Sequence, residues 1–408
     1  MSKVPAGWEN QELGLIAKVV DCKHRTPVYV ENGIPLVSPG TIKWGPLDLV
    51  IPNKRVSEEE YESLMDHCDV EINDLVLSRN QSVGVVSYVS CNNPFVLGQD
   101  TVLIKPKDVN KKFLFFKFQS KDTQKEITKL AGGSTFSRIN LSDIRKLRFS
   151  FPPLPEQTKI AQILSTWDKA ITTTEQLIGN SQQQKKSLMQ SLLTGKKRLP
   201  GFEGEWLSEE LGSLGETYSG LTGKTKEDFG SGYPYISYMN VYKNTEIDID
   251  FSEKVNIGQK ENQYKVSYGD IFFTTSSETP EEVGMSSVLL SNIENTYLNS
   301  FCFGYRLFTF ERVLPEFCKF VFRGDEMRRK ISKLAQGATR YNLSKKRLML
   351  LHIDLPPLPE QQKIAAVLTA ADNEIELLQK KLAFLKQEKA ALMQQLLTGK
   401  RRVKVETA

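Results

Sequence analysis

The chain has 408 residues, of which 39% are hydrophobic and 25% charged, and its formal net charge is +5. One hydrophobic core rarely holds so many residues, so at least two domains are expected, and the mild positive charge is compatible with nucleic acid without indicating it. The five cysteines lack CxxC spacing, the N-terminus has no apolar leader, and no run of about 18 apolar residues occurs. These features predict a cytoplasmic protein without disulfides or membrane spans.

The first segment, residues 1–152, is predicted to be a globular domain of mixed α and β structure. Short apolar runs such as Leu75–Leu77 indicate buried strands. Residues 153–197 then predict one long helix. Pro155 suits its first turn, Glu156 suits the end where the helix dipole favours negative charge, and Gly195 suits the left-handed position that ends a helix. About forty residues between these signals correspond to roughly 60 Å of helix.

The second half of the chain repeats the first. LPEQTKIAQIL begins at Leu154 and LPEQQKIAAVL begins at Leu358, 204 residues later, and LLTGK closes both segments. NDLVLS at Asn73 likewise resembles GDIFFT at Gly269. Residues 198–356 are therefore predicted to form a second mixed α/β domain, and residues 357–402 a second long helix.

Two details of the repeat concern its geometry. The linker KKRLPGFEGEW between the halves corresponds to KRRV at the end of the chain together with VPAGW at its start. This circular order predicts a pseudo-two-fold arrangement with neighbouring termini. The letters NLS occur at Asn140 and at Asn342, only 202 residues apart, which predicts a local slip in the loop before each long helix.

Apolar residues alternate at spacings of four and three in both helices, which predicts a heptad seam in one register. The first seam is interrupted by Thr174, Ser181 and Lys185, so pairing with the richer second helix is expected, as an antiparallel coiled coil. A coiled coil with a partner protein is the alternative. The predicted seam residues are Ile160, Leu164, Trp167, Ile171, Ile178, Leu188, Leu192, Ile364, Leu368, Ile375, Leu378, Leu382, Leu385, Leu392 and Leu396.

PPLPEQ-x-KIA-x-x-L, followed by a long helix ending in LLTGK and occurring twice after dissimilar domains, resembles the specificity subunit of type I restriction-modification systems. The resemblance covers the whole chain and implies an α+β fold, with two mixed α/β target-recognition domains separated by a long antiparallel two-helix coiled coil. It implies that each domain reads one half of a bipartite, asymmetric site in double-stranded DNA, and that the helices set the spacer.

The same resemblance implies the partners. The helices would dock two methyltransferase subunits, and restriction or translocase subunits would join them. S-adenosylmethionine, ATP and Mg²⁺ are then expected in the partner subunits and no cofactor in this chain, which would be a non-catalytic subunit.

Base reading needs side chains with paired donors and acceptors, and such residues after strands or in turns are the candidates, although solvated turns have the same composition. One group follows the strand Leu75–Leu77 and another follows its counterpart in the second half. The turns before each long helix supply the rest. The DNA-binding candidates are Arg79, Asn80, Gln81, Ser82, Ser134, Thr135, Arg138, Thr274, Thr275, Ser276, Thr339, Arg340, Tyr341 and Asn342.

Other chemistries are less well supported. GLTGKT from Gly220 lacks the first glycine of a phosphate-binding loop, because Tyr218 stands there. Cys22, His24, His67 and Cys68 match no usual zinc spacing, so no metal site and no catalytic residue is predicted. The alternative function is a coiled-coil adaptor whose globular domains bind protein or glycan. A methyltransferase encoded beside this chain would favour the DNA-reading role.

Overall fold

The computed structural model describes residues 5–132, 137–337 and 339–405. The chain divides into two compact units, Met1–Glu175 with Lys380–Ala408, and Gln176–Gln379. Both boundaries fall within the long helices, so each unit holds one domain and one stretch of each helix. No helix in the described ranges is long and apolar enough to cross a membrane.

The first unit contains a mixed domain and the start of the first long helix. Its strands are β1 (Glu9–Glu12), β2 (Ala17–Asp21), β3 (Ile34–Val37), β4 (Gly45–Pro46), β5 (Arg55–Val56), β6 (Leu75–Ser78), β7 (Val86–Tyr88), β8 (Val96–Leu97), β9 (Thr101–Pro106) and β10 (Arg148–Phe151). Its helices are α1 (Leu13–Ile16), α2 (Glu58–Met65), α3 (Lys111–Gln119), α4 (Lys121–Leu130), α5 (Leu141–Lys146) and the first part of α6 (Leu154–Leu192).

A five-stranded sheet with the order β2-β9-β6-β7-β4 forms the centre of this domain. All four residues of β6 are buried, because the sheet is covered on both faces, and a strand in that position consists of consecutive apolar residues. Helix α3 packs in the same core through its phenylalanines, and the Asn110 side chain caps it by accepting a hydrogen bond from the Phe113 amide at 2.9 Å. A smaller sheet, β5-β3-β8, and helix α2 surround a second core.

The second unit is built from corresponding elements. Its strands are β11 (Leu207–Glu210), β12 (Gly215–Ser219), β13 (Phe229–Ile236), β14 (Lys254–Val255), β15 (Ile271–Thr274), β16 (Ser276–Ser277), β17 (Ser286–Val288), β18 (Tyr297–Leu298), β19 (Cys302–Leu307), β20 (Tyr341–Asn342) and β21 (His352–Leu355). Its helices are α7 (Leu211–Leu214), α8 (Tyr238–Lys243), α9 (Pro315–Val321), α10 (Asp325–Ser332), α11 (Lys345–Met349) and the first part of α12 (Leu358–Leu396).

The central sheet of the second domain has the order β12-β19-β15-β17, which matches β2-β9-β6-β7 strand for strand. The antiparallel pair β11-β21 likewise matches β1-β10. An aspartate precedes the central strand in both domains and is fully buried. Asp74 is paired with Lys111 at 2.7 Å, and Asp270 is paired with Arg306 at 2.7 Å. The two mixed α/β domains predicted from the repeat are therefore confirmed as two versions of one fold.

Helices α6 and α12 are each 39 residues long. Both end before a glycine with positive φ, +67° at Gly195 and +70° at Gly399, as the capping pattern predicts. The seam residues Ile160 and Leu164 share a core cluster with Leu396 in the first unit, and Ile364 and Leu368 belong to the corresponding cluster in the second. The remaining predicted seam residues are buried or half-buried.

The helix stretches run antiparallel within each unit, because successive contacts move forward along α6 and backward along α12. In the first unit, Lys389 of α12 contacts Asp168 of α6 at 2.5 Å. In the second unit, Lys185 of α6 contacts Asp372 of α12. The polar position Lys185 within the first seam is thus matched by a carboxylate on the opposing helix, and the two ion pairs are equivalent under the repeat.

The start of each long helix is held by an arginine that follows the end of the other. Glu156 is buried and accepts two hydrogen bonds from the Arg402 guanidinium, at 2.7 and 2.6 Å. Glu360 is buried and accepts two from Arg198, at 2.7 and 2.6 Å. Arg402 also donates to the carbonyl of Ala6 at 2.8 Å, so the two ends of the chain meet in the first unit. This contact agrees with the circular order of the repeat.

Candidate nucleic-acid interface

The two groups of candidates in the first domain lie together, although about 60 positions separate them. The Arg79 amide donates to the carbonyl of Asp100 at 2.9 Å, and the Arg79 carbonyl accepts from the Ile139 amide at 3.0 Å. One position further on, Asn80 forms an isolated β-bridge with Arg138. The end of β6, the loop before β9 and the segment before α5 therefore meet at one place, which we call the junction of this domain.

Arg79 itself is oriented into the domain. It is 5% exposed, and its guanidinium donates to both carboxylate oxygens of Asp21 at 3.1 and 3.3 Å and to the carbonyl of Ile139 at 3.1 Å. The sequence places Arg79 among the base-reading candidates, but these contacts use its donors inside the domain. Its structural role is to anchor the segment that carries the exposed candidates.

The other described candidates of this domain are accessible. Gln81 is exposed, in a left-handed backbone conformation at φ +56°, and Ser82 is half-buried. Arg138 is exposed, and its Nη2 lies 2.7 Å from Oδ1 of Asp100 as an ion pair without the alignment of a hydrogen bond. Asn80 reaches Oδ2 of the same aspartate at 3.5 Å. Ser134 and Thr135 lie outside the described residues.

The second domain makes the same junction with different side chains. The Thr275 amide donates to the carbonyl of Phe301 at 2.9 Å, and the Thr275 carbonyl accepts from the Leu343 amide at 2.8 Å. Strand β16 then pairs with β20, so that Ser276 lies opposite Asn342 and Ser277 opposite Tyr341. The predicted clusters after the strand and before the helix again converge.

The candidates of the second domain differ in exposure. Thr274 is fully buried, and its hydroxyl accepts from the Met285 amide at 2.9 Å, while Ser276 is 6% exposed. Thr275 and Tyr341 are half-buried. Thr339, Arg340 and Asn342 are exposed. The accessible part of this junction is therefore the segment before α11, and Thr274 and Ser276 are part of its support.

The register of the two junctions corrects one expectation. The repeat of NLS predicts a slip of two residues, yet Ile139 and Leu343 make the same hydrogen bond and are 204 positions apart. The N-cap residues of α5 and α11, Asn140 and Ser344, keep the same offset. The predicted slip is therefore wrong, because equivalent positions of the two junctions keep the offset of 204 residues. The shared letters NLS are coincidental there, because hydrogen-bonding position and not residue identity fixes the register.

Two half-buried arginines hold the loops behind the second junction. Arg323 donates to the carbonyls of Ser286, Val241, Tyr242 and Asn244 at 2.6 to 3.0 Å. Arg328 donates to the carbonyls of the 281–284 turn. Burial lowers the pKa of both guanidinium groups to about 10, so both stay cationic at neutral pH. The loop after β16 is consequently fixed by charge-assisted hydrogen bonds.

Sequence reasoning missed Asp100 and Phe301, which occupy equivalent positions in the two junctions. Asp100 follows β8, which pairs with β3, and Phe301 follows β18, which pairs with β13. The letters before them are VLGQ in the first half and YLNS in the second. That weak alignment was the available signal. Asp100 is half-buried, whereas Phe301 is 59% exposed.

One cluster of metal-ligand types occurs in the described ranges. Ligand atoms of Asp21, Cys22 and His24 lie within 4.8 Å of one another. The Asp21 carboxylate is already bound to Arg79, and it lies 2.8 Å from Nε2 of His24. Burial raises the pKa of the Cys22 thiol, which disfavours the thiolate that a metal needs. These contacts explain the cluster without a metal.

The sequence matches the family described as Type I restriction modification DNA specificity domain, over residues 5–180 and again over residues 203–387. The chain belongs to this family. The type I restriction enzyme MjaVIII specificity subunit of Methanocaldococcus jannaschii is 24% identical, with 98% of this chain and 95% of that protein covered. The family predicted from the repeated PPLPEQ motif is thereby confirmed.

Two solved structures share the fold. The S subunit of a type I restriction-modification system from M. genitalium has a TM-score of 0.60 at 16% identity and covers 97% of each chain. A chain from a study of complex assembly and conformational transition of the type I R-M system has a TM-score of 0.59 at 17% identity, covering 98% of this chain and 100% of that one. The architecture of this specificity protein is therefore that of type I S subunits.

Proposed function

We propose that this chain is the non-catalytic, DNA-reading subunit of a type I restriction-modification complex, in which each domain reads one half of a bipartite site. The observation that carries the proposal is the pair of junctions: the backbone contacts are the same in both domains, while the accessible side chains differ. An identical frame with different surface chemistry suits two different half-sites. The role also implies the cytoplasm, where the DNA is.

The long helices are proposed to set the spacer between the half-sites. A helix of 39 residues is about 58 Å long, and modules that read one face of a duplex are spaced by about 34–36 Å or multiples of it. A helical connection fixes such a spacing, whereas a flexible linker would let it vary. Inserting one heptad into both helices should lengthen the unread gap or abolish activity, and an unchanged gap would contradict the ruler.

The helices are also proposed to bind the methyltransferase subunits, which would carry S-adenosylmethionine. Each unit exposes a large apolar side chain on its stretch of α12, Leu377 at 69% in the second unit and Phe384 at 58% in the first. Neither belongs to the predicted seam. Restriction subunits, with ATP and Mg²⁺, would join the same assembly.

Docking is tested by co-purification with the methyltransferase. Phe384→Ser or Leu377→Ser should weaken co-purification, because serine removes the apolar area that the interface would bury. Leu15→Ser is the matched control, since Leu15 is 78% exposed on helix α1 and outside the long helices. Equal co-purification of all three variants would contradict docking through these faces.

The decisive experiment is co-expression with the cognate methyltransferase, followed by mapping of N6-methyladenine across a genome. Exchange of residues 210–350 with those of another specificity subunit should change one half of the methylated motif and leave the other intact. A motif that stays entirely unchanged would contradict modular reading. Binding of protein or glycan by the isolated chain, with no methylation in the complex, would favour the adaptor alternative.

A further inference from the structure

Three positions of the junction are structurally equivalent in the two domains and chemically different. Asn80 and Ser276 occupy the first position, because each is paired across the junction. Arg138 and Asn342 are their respective partners. Asp100 and Phe301 occupy the third position, because the carbonyl of each accepts from the equivalent amide, that of Arg79 or of Thr275.

We infer that these positions determine one base pair in each half-site, a G·C pair for the first domain and an A·T pair for the second. The inference rests on the proposed DNA-reading function and adds the kind of base pair to it. In the first domain, Arg138 is the reading group and Asp100 holds its guanidinium in place. In the second domain, Asn342 and Phe301 replace them.

The chemistry of the first domain fits a G·C pair. An arginine fork donates to O6 and N7 of guanine. Arg138 presents donors to solvent, because its side chain is 45% exposed and its contact with Asp100 is made through Nη2. Asp100 keeps the guanidinium at the junction, and Asn80 in turn donates to Oδ2 of Asp100 at 3.5 Å.

The chemistry of the second domain fits an A·T pair in the same way. An asparagine amide pairs with N6 and N7 of adenine, and a phenylalanine contacts the methyl group of thymine. Asn342 is exposed, and its amide makes one long hydrogen bond of 3.4 Å to the Arg340 carbonyl. Phe301 is 59% exposed at the position where the first domain has the carboxylate that holds Arg138.

Both junctions are supported from behind, as a reading site requires. Arg79 fixes the first one through Asp21 and the Ile139 carbonyl. In the second, the Tyr238 hydroxyl donates to the carbonyl of Ser276 at 3.1 Å. The exposed groups therefore project from backbone that is already ordered, which lowers the entropy lost on binding.

The test uses the full complex with its methyltransferase subunits, and the readout is the methylated motif. Arg138→Ala should make one G·C position degenerate in a single half-site, with discrimination falling about tenfold or more. Arg138→Lys keeps the charge but not the fork, so it should partly relax the G·C position if a base is read and behave like wild type if only a phosphate is bound. Arg148→Ala is the control, since Arg148 is 61% exposed and also ion-paired.

The second domain is tested in the other half-site. Asn342→Ala should relax one A·T position other than the methylated adenine. Deoxyuridine in place of the thymine of that pair removes one methyl group and should weaken binding by the wild-type complex about fourfold. Phe301→Ala should bind both duplexes equally, whereas Phe308→Ala, with a phenylalanine that is 64% exposed elsewhere in this domain, should still distinguish them.

The outcomes separate this inference from the proposed function. Methylation of a bipartite motif that Arg138→Ala and Asn342→Ala leave unchanged would overturn the inference alone. Exchange of residues 210–350 identifies the half-site that belongs to the first domain, because that half-site stays unchanged. If the wild-type motif has no fixed G·C pair there, the inference is also overturned. A wild-type complex that methylates no bipartite motif would overturn the proposed function.

Discussion

Lys117 is a buried lysine that joins the first domain to the end of helix α12. Its Nζ donates to the carbonyl of Leu397 at 2.9 Å, and burial lowers its pKa from 10.5 to about 8. A lysine with a depressed pKa in the folded state contributes stability that is present above its unfolded pKa and lost as pH falls through its folded pKa. The free energy of unfolding should therefore rise between about pH 8 and pH 10.5, by about 3 kcal/mol if the whole shift is realised.

The variant Lys117→Met removes this titration and the hydrogen bond together. Urea unfolding of wild type and variant, measured at several pH values between about 7 and 10, should give a stability difference that moves in favour of the wild type as pH rises. Lys121→Met is the control, because Lys121 is exposed at the start of α4. A difference that stays constant across this range would refute the argument that Lys117 is buried as a charged group at neutral pH.

Three further outcomes follow from other contacts. Asp372→Lys places two cations together and should lower the free energy of unfolding by about 1–2 kcal/mol, measured by thermal unfolding. Adding Lys185→Asp to the same chain should restore most of this loss, and an equal loss in the single and double variants would contradict the ion pair. Burial raises the pKa of Tyr218 well above 10, so ultraviolet titration to about pH 11 should count the same ionising tyrosines in wild type and in Tyr218→Phe. Burial also raises the thiol pKa of Cys302 and Cys318, so iodoacetamide should label neither in the folded protein, and rapid labelling of either would show that its core opens.

The long helices could be predicted from sequence because their signals are local and occur twice. Pro155 and Gly195 mark the two ends of α6, and the seam between them has one period. The partners of Glu156 could not be predicted in this way. A glutamate in the first turn suits the helix dipole by itself, and nothing local indicates that Arg402, 246 positions later, binds it.

The reading candidates illustrate a different limit. Polar residues after a buried strand predict a loop, but composition does not tell which side chain turns inward. Arg79 and Gln81 are two positions apart, and the first is 5% exposed while the second is exposed. The difference arises because Asp21 and the Ile139 carbonyl, which are distant in sequence, take up the Arg79 guanidinium. The DNA-binding candidates that remain accessible are still predictions.

Comparison of the two halves distinguishes residues that maintain the shared fold from residues that can vary and so determine which DNA sequence is read. Contacts that hold each long helix to its domain recur with the same residue type on the helix. Gln157 accepts from the Asn110 amide and Gln361 from the Leu314 amide, both at 2.9 Å, although the residues that donate differ. A backbone donor leaves the partner's side chain unconstrained, so the helix keeps its glutamine while the domain changes around it.

The same reasoning applies to the junctions and explains how they could diverge without loss of fold. Their defining hydrogen bonds run from Arg79 or Thr275 through backbone amides and carbonyls alone, so replacing Arg138 by a residue such as asparagine removes none of them. Substitutions at the accessible positions should therefore change specificity at little cost in stability, whereas substitution of Glu156, which is 3% exposed and held through its side chain, should destabilise the unit without altering the motif. Measurement of thermal stability and of the methylated motif on the same set of variants would separate these two classes. A single substitution at an accessible junction position that unfolded its domain would show that reading and folding are not independent in this protein.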